Sequence, residues 1–292
     1  MTDVLIIGGG PAGVSAALYT TRAGLKTTII HKDSGALTKA ERVDNFYGNP
    51  GITGVELIAQ GLAQATDVGA EVVAGEVVKI SVQPNGNDLH FNVETTEKTY
   101  SSKALLLATG ANRQTPNISG LADLEGKGVS HCAVCDAFFY RNKDVAVLGH
   151  SQYALSEANE LLPMVKSLHL LTNGQEPDVA FPPEVIIRKE KIQKILGENK
   201  LTGGSLKNEG EDLPLDGIFI ALGTAGATAL ARKLGALTEN NTVIVDENMR
   251  TNIPGLWAAG DCTPGMKQIA KAVYDGAVAG MDIVRGIRVV SQ

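Results

Sequence analysis

Val4-Leu5-Ile6-Ile7-Gly8-Gly9-Gly10-Pro11-Ala12-Gly13 stands directly after Met1-Thr2-Asp3. Four apolar residues in a row predict a buried strand, the glycines a turn, and the stretch running to about Ala23 a helix that Gly24 stops. A second apolar strand near Thr27 to Ile30 completes a βαβ unit. Within it, Gly8, Gly10 and Gly13 have the spacing G-x-G-x-x-G. Gly8 permits the turn, Gly10 lets the backbone approach a pyrophosphate, and Gly13 lets the helix pack closely on the strand. The helix N-terminus adds unpaired N–H groups and about half a positive charge. The stretch therefore reads as a dinucleotide site, although the motif alone does not choose FAD over NAD. An acidic ribose partner belongs about 20 residues on, where Asp33 fits by spacing and His31 ends the strand.

A second unit of this kind begins at Asp144-Val145-Ala146-Val147-Leu148, passes Gly149, and continues through a helical stretch from Ala154 to Val165. Two such units predict two stacked α/β domains. Between them, Glu71 to Tyr100 alternates apolar and polar residues around Pro84-Asn85-Gly86-Asn87, the pattern of antiparallel strands in a hairpin-rich insert. Ala104 to Ala108 and Gly217 to Leu222 read as buried strands. They end in the turns Thr109-Gly110 and Gly223-Thr224.

The chain of 292 residues carries 26 Lys plus Arg against 32 Asp plus Glu, a net charge of −6. That balance leaves no basic block suited to a phosphate backbone, so nucleic acid is not an expected partner. No signal-peptide pattern follows Met1, and no apolar run has the length of a membrane helix. The expectation is a soluble, cytoplasmic protein with no membrane partner.

Two of the three cysteines, Cys132 and Cys135, form a C-x-x-C. In a reducing compartment such a pair is more often catalytic or metal-binding than structural. Zinc takes four ligands, and no second C-x-x-C or C-x-x-H completes a set, so no metal is expected. The pair reads as redox-active: a small reducible ring from which one thiolate attacks a partner disulfide. Asp136 follows it. A carboxylate beside sulfur opposes thiolate formation, so its use would be general acid–base work with a pKa raised by burial. Its plainer use is to cap a helix.

The run His131-Cys132-Ala133-Val134-Cys135-Asp136-Ala137-Phe138-Phe139-Tyr140 resembles the low-molecular-weight thioredoxin reductases. So do Gly8 to Gly13, the Ala108-Thr109-Gly110-Ala111 turn, and Pro254-Gly255-Leu256-Trp257-Ala258-Ala259-Gly260-Asp261. The resemblance spans nearly the whole chain in order. It implies an α/β fold of two Rossmann-like (three-layer β/β/α) nucleotide-binding domains, the second inserted into the first. The FAD domain would comprise 1–113 and 242–292, and the inserted redox domain 114–241. Cofactor contacts are implied at Gly8, Gly10, Pro11, Ala12, Gly13, Ala36, Leu37, Asn45, Val78, Thr109 and Gly110, and at Gly260, Asp261, Lys267, Gln268 and Ile269. Lys267 replaces the family's usual arginine, giving up a planar fork while keeping the charge. The family's Gly-Gly-Gln flavin contact reads Ser34-Gly35-Ala36 here. Cys262, where the family often has valine, reads as a small buried residue.

The second glycine fingerprint departs from the family. Where Gly-x-Gly-x-x-Ala takes NADPH, this chain has Gly149-His150-Ser151-Gln152-Tyr153-Ala154, and both Ser151 and Tyr153 add bulk. The His-Arg-Arg that takes the 2′-phosphate is replaced by Thr172-Asn173-Gly174. The related stretch Gly223-Thr224-Ala225-Gly226-Ala227-Thr228 also departs. Two lost charge-assisted bonds weaken binding by about 3–6 kcal/mol, or about 10²- to 10⁴-fold. Lys166 or Arg188 would have to substitute if the site still bound NADPH. NADH, lacking the 2′-phosphate, meets the same altered glycine pattern.

The resulting expectation is an FAD-dependent disulfide oxidoreductase in which Cys132 and Cys135 reduce thioredoxin or a thioredoxin-like protein. Ferredoxin or another flavin would donate electrons in place of NADPH, since flavin accepts electrons singly and delivers a pair. The resemblance also implies a homodimer and a domain rotation, with hinges near Arg113 to Thr115 and Thr238 to Val243. The alternatives are an NADPH-dependent thioredoxin reductase with a diverged nucleotide site, and a non-catalytic flavin-binding redox sensor.

Overall fold

The computed structural model describes residues 2–32, 35–85, 88–111, 116–207, 212–223 and 226–290. The chain divides into two compact units, one made of 1–112 with 226–292 and the other of 113–225. Asp33, Ser34, the first expected hinge at Arg113 to Thr115, and Thr224-Ala225 lie outside the described residues.

The first unit opens with strand β1 (Thr2–Ile7), helix α1 (Pro11–Arg22) and strand β2 (Thr27–His31). Val4 to Ile6 are wholly buried, so β1 is covered on both faces as an interior parallel strand must be. Gly24, at φ +87°, ends α1 in the left-handed region that glycine enters without strain. Helix α2 (Gly54–Asp67) starts in a reciprocal capping box between Thr53 and Glu56. Strands β3 (Glu71–Ala74), β4 (Val77–Asn85), β5 (Asp88–Thr95) and β6 (Thr99–Leu107) follow. The antiparallel insert begins later than its alternating pattern implied. Glu71–Ala74 pairs parallel with β2, and only β4, β5 and the first half of β6 are antiparallel.

The inserted unit contains β7 (Val129–Ser130), the short helix α3 (Ala133–Asp136), β8 (Asp144–Leu148), helix α4 (Gln152–Leu161), β9 (Ser167–Leu171) and β10 (Val185–Arg188). Next come β11 (Ile192–Gly197), β12 (Leu201–Leu206), β13 (Leu213–Pro214) and β14 (Gly217–Ile220). Among the described residues, a five-stranded parallel sheet runs β10-β9-β8-β14-β7, and β11-β12-β13 form a separate antiparallel sheet. Helix α4 is shorter than its apolar stretch suggested: it ends at Leu161, just before Pro163.

The chain returns to the first unit through α5 (Ala227–Lys233), β15 (Thr238–Glu239), β16 (Thr242–Val243), β17 (Leu256–Ala258) and the long helix α6 (Ile269–Val290). Residues 226–241, expected in the insert, pack in this unit, where Thr228 Oγ1 donates to Asn241 O at 3.0 Å. Thr238 to Val243, the second expected hinge, is a small antiparallel ribbon within the unit and not a boundary. Strand β17 lies parallel to β6. The described order is therefore β3-β2-β1-β6, with the β5-β4 hairpin and β17 sharing the far edge of β6.

Helices α1 and α6 pack closely because small residues meet. A Cβ on Gly276 would come within 2.1 Å of the Ala12 carbonyl, and one on Gly280 within 2.8 Å of that of Ala16. Ser15 Oγ also donates to Val273 O at 2.7 Å. This close approach brings the start of α6 to the glycine loop. No helix among the described residues is long and apolar enough to cross a membrane.

Candidate functional site

Strand β7 delivers its carboxyl end into the cysteine motif. Cys132 is the N-cap of α3 and Cys135 lies one turn later, so the helix brings their Cα atoms to 5.3 Å and the two are joined as a disulfide. The Cys135 amide donates to Cys132 Sγ at 3.2 Å. Cys132 is 2% exposed, whereas Cys135 is open to solvent.

Asp136 stands at the N-cap of the following 3₁₀ turn, Ala137–Tyr140, but its side chain does not cap it. It instead accepts from Ser130 Oγ at 2.7 Å, and that same oxygen accepts from the Cys132 amide at 3.1 Å. One hydroxyl thus joins the backbone of the first cysteine to the carboxylate after the second. The Tyr140 phenol is held above its ordinary range, first by burial and then by the nearby Asp136 and Asp216 charges.

Sequence reasoning missed Glu157. Its carboxylate, on a residue 1% exposed, accepts from the Ala133 amide at 2.7 Å and ties the first turn of α3 to α4. The only signal in the sequence is a glutamate among Ala154, Ala158 and Leu161 on an otherwise apolar helix face. Among the described residues, no group of three or more His, Cys, Asp or Glu side chains is arranged to hold a metal ion.

In the first unit, most of the implied cofactor residues gather at the carboxyl end of the parallel sheet. A Cβ on Gly8 would approach the Ala108 carbonyl to 2.2 Å, and one on Gly13 would meet the Gly8 carbonyl at 1.9 Å. A Cβ on Gly10 would meet nothing within 4 Å, so backbone borders open space where a phosphate is expected. Pro11 is the first residue of α1, and among the described residues no side chain caps that end. Gly260, at φ +82°, packs against Ala12.

The outer candidates are less uniform. Asn45 Nδ2 donates to Gln268 Oε1 at 3.0 Å, joining two of them. Thr109 Oγ1 accepts from the Ala227 amide at 2.7 Å and so starts α5. Ala36 and Leu37 open a 3₁₀ turn, Val78 lies on β4, and Ile269 begins α6. Lys267 spends its ammonium on the carbonyls of Asp261 at 2.8 Å and Thr263 at 2.7 Å, which makes it a brace for the turn. Asp261 Oδ1 is buried with no hydrogen-bond partner among the described residues, and burial raises the pKa of this carboxyl. Cys262 is 1% exposed, with its thiol pushed up to about 12 by burial.

The second glycine loop is closed by its own side chains. Ser151 Oγ donates to Gly223 O at 2.8 Å, bridging the ends of β8 and β14, between which a dinucleotide would lie. His150 Nδ1 is 3.2 Å from Asp178 Oδ2, which puts a carboxylate beside the loop. Tyr153 is buried, and its hydroxyl reaches toward the His131 carbonyl at 3.5 Å. Its bulk therefore lies inside the unit and not across the loop. Thr172 Oγ1 donates to Gln175 O at 2.6 Å, and Asn173 Oδ1 accepts from the Ile192 amide at 2.9 Å. Of the two substitute cations, Lys166 pairs with Asp144 at 2.9 Å at the amino end of the sheet, a full strand from the loop. Arg188 ends β10 at the carboxyl edge.

Comparison with known proteins agrees with this architecture. Residues 2–276 match the family described as pyridine nucleotide-disulphide oxidoreductase. The thioredoxin reductase of Listeria monocytogenes is 34% identical over 96% of this chain and 92% of its own length. The atypical thioredoxin reductase TRi of Desulfovibrio vulgaris Hildenborough is 36% identical with a TM-score of 0.87, covering 99% and 98% of the two chains. A ferredoxin-flavin thioredoxin reductase of Clostridium acetobutylicum is 29% identical with a TM-score of 0.70, again over 99% and 98%. This chain belongs to the pyridine nucleotide-disulphide oxidoreductase family, an oxidoreductase with relatives among the thioredoxin reductases.

Proposed function

We propose that this protein is an FAD-dependent disulfide reductase that passes electrons through Cys132 and Cys135 to thioredoxin or a thioredoxin-like protein, drawing them from a donor other than NADPH. The observation that carries the reading is the Cys132–Cys135 disulfide at the head of α3, with Cys135 exposed and Asp136 linked to the pair through Ser130.

The first unit fits FAD. Its Gly10 backbone borders open space, the N-terminus of α1 is suited to a pyrophosphate, and the unpartnered Asp261 Oδ1 is suited to a polyol hydroxyl. Gly8 to Gly13, Thr109, Gly110, Gly260 and Asp261 would hold it. When bound, the flavin supplies an electron pair to a disulfide and can be refilled one electron at a time. From the reduced pair, one thiolate attacks the partner's disulfide, forming a mixed disulfide and expelling a partner thiolate. The other cysteine then attacks the mixed bond. The partner leaves as a dithiol, and Cys132–Cys135 re-forms. Asp136 is the carboxyl group placed to pass a proton during this exchange.

The second unit fits NADPH poorly. The bridge from Ser151 to Gly223 spans the expected crevice, Asp178 opposes a phosphate, and Lys166 lies at the wrong end of the sheet. These features support ferredoxin or another flavin as donor, and the Clostridium acetobutylicum neighbour is named for ferredoxin and flavin. Arg188 at the carboxyl edge is the one observation that favours a diverged NADPH site. A cytoplasmic homodimer is part of the same proposal.

Anaerobic titration of the yellow protein with NADPH, NADH, reduced ferredoxin and a reduced free flavin tests the donor: bleaching is expected with ferredoxin or the flavin and with neither nicotinamide. Chemically reduced protein, with one electron pair on the cysteines and one on the flavin, should then reduce up to two thioredoxin disulfides per chain. Rapid bleaching by stoichiometric NADPH would overturn the donor assignment, and colourless protein would overturn the cofactor.

A further inference from the structure

Two charged residues on α6, four positions apart, converge on the Gly260–Cys262 turn. Lys271 Nζ lies 2.7 Å from Asp275 Oδ2, 2.7 Å from Thr263 Oγ1 and 2.8 Å from Gly260 O. All three ammonium protons are therefore used within the protein. Asp275 Oδ2 accepts from the Gly260 amide at 3.0 Å and from Thr263 Oγ1 at 3.2 Å. The Gly260 carbonyl also takes the Thr263 amide at 3.0 Å, and at 2.7 Å it shares with Asp275 Oδ2 the one proton of the Thr263 hydroxyl. The side chains of Lys271 and Asp275 are only 12% and 4% exposed.

Burying an ion pair is costly, and replacing one by apolar residues is often neutral or stabilising, so its presence here calls for a reason besides stability. The turn itself supplies one. Gly260 sits at φ +82° between Ala12 and Ala272, and the next residue, Asp261, has a buried oxygen with no partner among the described residues. A carboxylate held this way needs a rigid backbone, because its burial is compensated only when a ligand donates to it.

We propose that Lys271 and Asp275 are positioning residues that lock the Gly260–Thr263 turn in its cofactor-ready shape, so that the Asp261 carboxylate is aimed before the cofactor arrives. Lys271 acts through the turn and has no proton left for the cofactor. This rests on the reading that FAD occupies the first unit.

The test measures flavin retention by the full-length holoprotein, as the FAD dissociation constant and release rate followed by recovery of flavin fluorescence on dilution. Lys271→Met and Thr263→Val should each weaken retention about tenfold or more, since each removes a hydrogen bond that orders the turn. The same substitutions in an Asp261→Ala background should change it less than threefold, because the group they position is gone. Asp275→Asn, which keeps an acceptor for the Gly260 amide, should fall between wild type and Lys271→Met. Equal losses in both backgrounds would mean a general effect on folding and would overturn the proposal, as would unchanged retention in both Lys271→Met and Thr263→Val. A wild-type protein that holds no FAD overturns the cofactor assignment and this inference with it. Tight FAD in wild type with no effect of the variants overturns only the inference.

Discussion

Ser130 Oγ donates to Asp136 Oδ2 across 2.7 Å while accepting from the Cys132 amide at 3.1 Å, so the carboxylate reaches the cysteine backbone through a single hydroxyl. The carboxylate is thereby held one hydroxyl away from the Cys132 amide. Asp136→Asn should slow thioredoxin reduction by pre-reduced protein about 10²- to 10⁴-fold, the usual size of a general acid–base contribution. Ser130→Ala should cost about tenfold or less, because the carboxylate remains. Rapid mixing at several pH values checks both, and an Asp136→Asn variant that keeps the wild-type rate and pH profile would remove the carboxylate from the mechanism.

Thiol counting separates the three cysteines. In reduced native protein, the exposed Cys135 should alkylate readily with iodoacetamide and the buried Cys132 more slowly, whereas Cys262, buried and with a pKa of about 12, should react only after unfolding. Serine at either position of the pair should abolish thioredoxin reduction while leaving bound flavin in place.

Cys262 also predicts an alkaline stability change of definite sign. Its folded pKa of about 12 exceeds the ordinary 9.0, so above pH 9 the unfolded chain loses a proton that the folded chain keeps. The contribution is full below pH 9 and is lost as pH rises toward about 12, at about 1.4 kcal/mol per pH unit. Urea unfolding of wild type and Cys262→Ala at pH 8 and 10.5 should show the stability difference shrinking by about 2 kcal/mol. A constant difference would contradict it.

Asp282 is 2% exposed and accepts from Arg250 Nε at 2.5 Å, Arg250 Nη2 at 2.9 Å and Trp257 Nε1 at 3.0 Å. Removing it leaves the indole N–H buried without an acceptor, while the half-exposed guanidinium turns to water, so Asp282→Ala should destabilise the protein by about 1–3 kcal/mol. Denaturant titration checks this, and a loss below about 1 kcal/mol would show that the network is replaceable.

Ser151→Gly removes the bridge to Gly223 but not Asp178, and supplies no cation at Thr172-Asn173-Gly174. On its own it should not confer reduction by NADPH. Adding arginine at Asn173, in register with the first arginine of His-Arg-Arg, should improve NADPH binding more than the glycine alone, as read by flavin bleaching.

The elements legible in the sequence share one property: their physics is local. The apolar run before Gly8, the glycine spacing and the stop at Gly24 each act within a few residues, and each appears where its pattern placed it. The same holds for the ring of Cys132 and Cys135, since one helical turn suffices to join them. Boundaries set by packing were harder to read. The assignment of 226–241 to the insert failed because the membership of α5 depends on contacts such as Thr109 to the Ala227 amide, which no local pattern encodes. Lys267 likewise kept its expected place in sequence while its ammonium turned to the backbone carbonyls of its own turn.

By itself, then, the sequence determined the two βαβ units, the reducible cysteine pair and the lack of arginine at Thr172-Asn173-Gly174, because residue identity and short spacing are sufficient causes of each. Only the tertiary structure decided that Ser130 links Cys132 to Asp136, that Glu157 anchors α3, that Ser151 closes its crevice, and that Lys271 and Asp275 brace Gly260. The physical reason is that a hydrogen bond or ion pair forms over about 3 Å in space whatever the separation along the chain, and that proximity exists only once helices and strands have packed.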